Sequence, residues 1–122
     1  MRNLRTRRQS HRAGMLAEYV ALTMLLLKGY RPLAWRYKTP VGEIDLIMKR
    51  RNLVAFIEVK GRRHSDDAAF AVHGRNQSRV VRAAQYFLAA RPALAGCDVR
   101  FDVCLVPWYR LPHHIPHAFE AS

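Results

Sequence analysis

Apolar positions along the chain follow two rhythms. Over residues 13–28 they recur at helical spacing, with Leu16, Val20, Leu22, Leu25 and Leu26 in the pattern and Gly29 as a stop. Helical spacing returns over residues 75–90, where Val80, Val81, Ala84, Phe87 and Leu88 face one way. Between these helices the pattern is that of strands. Residues 30–39 read as an edge strand, with Trp35 and Tyr37 on one face and Arg36 and Lys38 on the other. Residues 42–48 and 54–60 read as two central strands, bounded by Pro40-Val41-Gly42 and by Gly61 and joined through the polar turn Lys49-Arg50-Arg51-Asn52. After Pro92 and Gly96 break the chain, residues 99–106 form a last strand. Residues 1–12 read as a flexible basic arm, and the tail from about Pro107 as irregular. The order helix, three strands, helix, strand predicts an α/β layer structure with a mixed central sheet, one domain over residues 13–122.

Alternation assigns the side chains of the central strands to faces. It puts Glu43, Asp45 and Ile47 on one face and Ile44, Leu46 and Met48 on the other; in the next strand Phe56, Glu58 and Lys60 lie opposite Ala55, Ile57 and Val59. Either strand alone reads as a half-solvated surface strand, because charged side chains are normally exposed. As a pair they place two acids and a lysine at adjacent strand ends among strongly apolar neighbours. Converging carboxylates make an oxygen-rich site for a hard cation such as magnesium. A lysine beside them can orient water or stabilise charge developing on a phosphate.

Three further polar residues have apolar neighbours. Glu18 shares a helix stripe with Leu22 and Leu25, so it faces inward and needs a partner; taken alone, an arginine at the core's edge suffices. Gln77 shares a stripe with Val81, Ala84 and Leu88 and points from the first turn of its helix towards the sheet. Asp102 has Phe101 and Val103 as neighbours, but Arg100 lies on its own strand face, so local pairing is expected rather than metal binding. His113, His114 and His117 have no predicted element to fix them as ligands.

Composition narrows the partners. Half of the 122 residues are hydrophobic, enough for one globular domain with its own core. Lys and Arg outnumber Asp and Glu by 21 to 9, a formal charge of +12 that exceeds what solubility requires and favours polyanions, either nucleic acid or an anionic membrane surface. No run is long and apolar enough to span a bilayer. The arginine-rich start lacks the apolar core and cleavage site of a secretory signal, although its acid-poor composition is also that of a transit peptide; a cytoplasmic location is expected. Two cysteines are too few for a disulfide scaffold or a zinc site, and Cys104 in its apolar run reads as a buried thiol. There is no internal repeat, glycine-rich phosphate loop or nucleophile elbow.

The combination of Ala17-Glu18, Lys28-Gly29-Tyr30, Thr39-Pro40-Val41-Gly42-Glu43-Ile44-Asp45-Leu46-Ile47, Phe56-Ile57-Glu58-Val59-Lys60, Ala71-Val72, Gln77 and Arg100-Phe101-Asp102-Val103 resembles the YraN family of small bacterial proteins. That family is grouped with the restriction-endonuclease-like PD-(D/E)XK superfamily and is similar to archaeal Holliday junction resolvases. The resemblance covers roughly residues 12 to 120. It implies a restriction-endonuclease-like core in which Asp45 and Glu58, helped by the carbonyl of Val59, bind one or two divalent metals, Mg²⁺ or Mn²⁺. It further implies that Lys60 orients the attacking water, that Glu18 completes the site from the helix, and that Gln77 is a polar residue of the following helix. Resolvases act as symmetric dimers, so a homodimer is compatible with the resemblance.

The reading that follows is a metal-dependent phosphodiesterase acting on nucleic acid, DNA in preference to RNA, with no membrane partner. Arg62, Arg63, Arg75 and Arg79 flank the expected site and would neutralise the phosphate backbone. A nucleic-acid-binding module with the same fold and little turnover is the alternative. A purely structural partner-binding protein is a third reading, under which the acids are replaceable.

Overall fold

The structure, a computed structural model, describes residues 4–61, 74–107 and 110–121, and the side chains of the two helices from Met15 and Gln77 onward. Its elements are α1 (Leu4–Leu27), β1 (Arg31–Thr39), β2 (Gly42–Arg50), β3 (Leu53–Lys60), α2 (Gly74–Ala89), a short 3₁₀ turn (Pro92–Leu94), β4 (Asp98–Leu105) and β5 (His113–Phe119). The strands form one sheet in the order β1-β2-β3-β4-β5, with β3 and β4 parallel and every other pair antiparallel. The α/β class with a mixed sheet, and the order helix, three strands, helix, strand, are as the sequence predicts.

Among the described residues, one helix covers each face of the sheet. Ile44, Ile47, Val54, Phe56 and Phe101 of the sheet pack with Val80, Ala83, Ala84 and Phe87 of α2. On the other face Leu46, Met48, Ala55, Ile57 and Cys104 pack with Ala21 and Leu25 of α1 and with Tyr30. Covered on both sides, β2 and β3 need the near-continuous apolar runs that their sequences contain. The buried edge of α1 is Ala17, Glu18, Ala21 and Leu25, whereas Leu16, Val20 and Leu26 are exposed. From Met15 onward that helix is mostly apolar, and its small-residue side is the one that sits down on the sheet. Gly29 ends α1 as expected: its φ of 91° lets the Tyr30 amide donate back to the Leu25 carbonyl at 3.0 Å.

Four expectations are corrected. The stretch taken as a flexible arm is helical from Leu4, since Arg, Gln and Leu are good helix formers and no proline or glycine interrupts them before Gly14. The tail is not irregular over residues 113–119: β5 pairs with β4, and an edge strand tolerates Pro116 because one side needs no ladder donor. The other two concern faces. Trp35 packs edge-on against Tyr19 of α1, whereas Tyr37 packs against Phe87 of α2, so the two aromatics lie on opposite faces. Likewise Ile44 joins Ile47 on the α2 side, while Leu46 and Met48 lie on the α1 side. Both alternations slip at one place. Register pairs Trp35 with Leu46 and Tyr37 with Ile44, which sets Arg36 opposite Asp45, and Arg36 has a left-handed φ of 54°. A left-handed residue in a strand turns the chain by one position, and the partner strand follows.

Candidate active site

The slip at Arg36 and Asp45 is also where β2 parts from β3. Their ladder runs from Arg50↔Leu53 to Leu46↔Ile57 and stops one residue short of Asp45 and Glu58. In place of a backbone bond, the Val59 amide donates to Asp45 Oδ2 at 2.8 Å. The parted strand ends open a cleft of about 300 Å³, lined by Glu43, Ile44, Asp45, Ile57, Glu58, Val59 and Lys60 of the sheet and by Val80 of α2. Alternation holds along β3, so Glu58 leaves the strand on the same side as Phe56, and Lys60 Nζ lies 2.9 Å from Glu58 Oε1.

Burial pushes the Asp45 carboxyl up to about 6; the Val59 amide pulls it down, and the nearby charges of Glu18, Glu58 and Glu43 raise it again. Four acids therefore share one neighbourhood, and among the described residues lining the cleft the Lys60 ammonium lies against Glu58. A site with this electrostatic signature favours a cation, and hydrogen bonding holds the carboxylate that would receive it.

Glu18 lies within electrostatic reach of Asp45, but its oxygens are engaged. Trp35 Nε1 donates to Oε1 at 2.7 Å, and Arg36 donates from Nε to Oε1 at 2.7 Å and from Nη2 to Oε2 at 3.3 Å. Here the arginine at the core's edge is the partner. Arg36 itself is held charged, first by this hydrogen bond, against a desolvation cost, with Glu43 and Asp45 adding to the effect. Arg36 was missed in the sequence, although counting back from the Thr39↔Gly42 pair places it opposite Asp45.

The remaining predicted residues divide. Gln77 is half-buried one turn before Val80 and is not among the described residues lining the cleft. Arg79 is exposed and lines a neighbouring cleft with Lys38 and Arg82. Arg75 lies in α2, and Arg62 and Arg63 fall outside the described residues. Asp102 is fully buried away from this site, in the local pairing expected for it. Arg100 donates to both its oxygens at 2.8 and 2.7 Å, His114 Nε2 lies 2.8 Å from Oδ2, and the His117 amide donates to Oδ1 at 3.0 Å. Strand β5 thus fixes His114 as a partner of an acid.

For a divalent metal, the donor set is the Asp45 and Glu58 carboxylates with the Val59 carbonyl. Among the described residues no group of three or more His, Cys, Asp or Glu side chains is gathered to hold a metal. Magnesium does not need one: it keeps several waters and binds through one or two carboxylates together with substrate phosphate oxygens. A carboxyl pushed up to about 6 by burial and neighbouring acids is the chemistry such an ion would relieve, so the residues fit.

Fold and site define a mixed α/β protein with two carboxylates and a lysine at the parting of its central strands. Residues 17–106 match the family described as "Uncharacterised protein family UPF0102", and the chain belongs to that family, which is the YraN family its motifs resemble. It is 51% identical to a UPF0102 protein of Rhodopseudomonas palustris over 91% of this chain and 82% of that one. It is 52% identical to UPF0102 protein bll0669 of Bradyrhizobium diazoefficiens over 91% and 84%. With a UPF0102 protein of Methylorubrum extorquens it shares 49% over 93% and 89%. No helix among the described residues is long and apolar enough to cross a membrane.

Proposed function

We propose that this protein is a divalent-metal-dependent phosphodiesterase that cuts nucleic acid, DNA in preference to RNA, in the cytoplasm. The observation that carries the reading is the meeting of Asp45, Glu58 and Lys60 in one cleft where β2 and β3 separate. The resemblance of the same residues to the PD-(D/E)XK motif supports it, as does the formal charge of +12.

Asp45 and Glu58, with the Val59 carbonyl, would hold Mg²⁺ or Mn²⁺, which supplies a Lewis acid for the phosphate and a lowered pKa for bound water. Lys60 keeps the Glu58 carboxylate oriented and presents its remaining N–H donors to water entering the cleft. The Val59 amide holds Asp45 in place, and Ile44, Ile57 and Val80 form apolar walls that limit bulk water. Glu18 would act from the flank, with Arg36 as its counter-charge. Two copies acting as a homodimer would cut two strands.

A binding module with little turnover is the second reading, and one observation favours it: Glu18 is engaged by Arg36 and Trp35 rather than gathered with Asp45 and Glu58. Incubating the purified chain with labelled duplex, branched and single-stranded DNA and RNA, in Mg²⁺, Mn²⁺ or EDTA, separates the two. Cleavage that requires the metal supports the nuclease. Binding without cleavage on every substrate and metal supports the module.

A further inference from the structure

Beside the acidic cleft lies a second one, of about 730 Å³, between the β1–β2 turn and the outer face of α2. Lys38 stands on one wall, Arg79 and Arg82 on the other, with Thr39 and Gly42 in the turn between them. Arg79 and Arg82 are three residues apart on a helix and so project from the same side. All three cations are exposed, and among the described residues none of them makes an ion pair or a side-chain hydrogen bond.

The cleft is firmly built. Thr39 Oγ1 accepts from the Val41 and Gly42 amides at 3.1 and 3.0 Å and donates to the Gly42 carbonyl at 2.8 Å, which locks the turn. The turn then sits directly on α2: a Cβ on Gly42 would stand 2.6 Å from the Arg79 carbonyl oxygen, a contact that only glycine avoids. The wall carrying Lys38 is thereby fixed against the wall carrying Arg79 and Arg82. The cleft also adjoins the acidic one. Glu43 lines both, and Val80 of the acidic cleft follows Arg79 in the chain.

We infer that this cleft binds the sugar–phosphate backbone of the nucleic-acid strand next to the phosphate at Asp45 and Glu58, with Lys38, Arg79 and Arg82 as its phosphate contacts. The inference rests on the proposed function and adds the path of the strand. Three cations against one acid make the cleft net positive, which suits a polyanion. Its location suits the backbone: a strand with one phosphate over the acidic cleft can carry adjoining phosphates past Glu43 to the three cations. Point contacts of this kind hold the backbone and carry no sequence information.

The test is binding of a labelled DNA duplex, read by fluorescence anisotropy in EDTA across a salt series. Variants are Lys38→Ala, Arg79→Ala and Arg82→Ala, with the exposed Arg31→Ala at the far end of β1 as control and Arg82→Lys as the charge-preserving variant. Each alanine variant in the cleft should reduce the slope of log K against log salt by about 0.9, the effect of one lost phosphate contact, with Arg31→Ala and Arg82→Lys close to wild type. Equal slopes for cleft and control variants overturn the inference, and so does a wild type that does not bind. Loss of binding in the cleft variants with no cleavage by wild type would sink the nuclease reading and leave the cleft standing. Metal-dependent cleavage with unchanged slopes would do the reverse.

Discussion

Asp45 accepts a hydrogen bond from the amide of Val59, on the strand whose ladder with β2 has just ended. The bond substitutes for a lost backbone pairing and holds a carboxylate in place while burial and neighbouring acids make its charge costly.

That cost gives a pH dependence with a definite sign. The folded carboxyl keeps its proton to about 6 against an ordinary 3.8, so its contribution to stability is greatest below 3.8 and is lost as pH rises through 6. Asp45→Asn retains an acceptor for Val59 and never ionises. At neutral pH it should be more stable than wild type by about 1–3 kcal/mol, the gap closing towards about pH 4. Urea unfolding at both pH values checks this; an asparagine variant less stable at neutral pH would contradict it. Mg²⁺ should raise the melting temperature of wild type and not of the variant.

Glu18 and Arg36 form the pair that a buried acid requires. Glu18→Gln keeps an acceptor for Trp35 but removes the charge facing Arg36. A double-mutant cycle with Arg36→Met should yield a coupling of about 1–2 kcal/mol, since the pair is only partly solvent-screened. A coupling near zero in unfolding experiments would mean that the geometry around Glu18 is held by packing alone.

The legible features were those with local causes. Gly29 stops a helix because only glycine takes its φ comfortably, and the apolar runs of β2 and β3 announce strands covered on both faces. Asp45 and Glu58 were legible only as a pair, two acids at adjacent strand ends among apolar neighbours, and both line one cleft. What stayed hidden depended on a partner far along the chain. Nothing local marks Arg36 as left-handed, so the faces of Trp35, Tyr37 and Ile44 came out wrong. Pro112 and Pro116 obscured β5, whose order comes from outside it: Phe119 stacks on Phe101 and His114 reaches Asp102.

Asp102 anchors that last strand. Burial alone would raise its carboxyl, but the bonds from His114, Arg100 and the His117 amide outweigh this and hold it below its ordinary value. The stability it contributes is complete above 3.8 and is lost as pH falls through the lowered folded value. Asp102→Ala leaves Arg100 and His114 facing an empty site and should cost about 3–5 kcal/mol. Chemical denaturation measures it; a loss below about 1 kcal/mol would contradict the anchoring role.

The central claim, that the parted ends of β2 and β3 carry phosphodiester chemistry, is tested most directly by Glu58→Ala against wild type, purified in parallel and matched for folding. Cleavage of labelled DNA is followed in Mg²⁺ or Mn²⁺, with binding of the same DNA measured in EDTA. The account predicts metal-dependent cleavage by wild type, its loss in the variant, and DNA binding that is largely unchanged. Cleavage that persists in Glu58→Ala free of contaminating nuclease would contradict it.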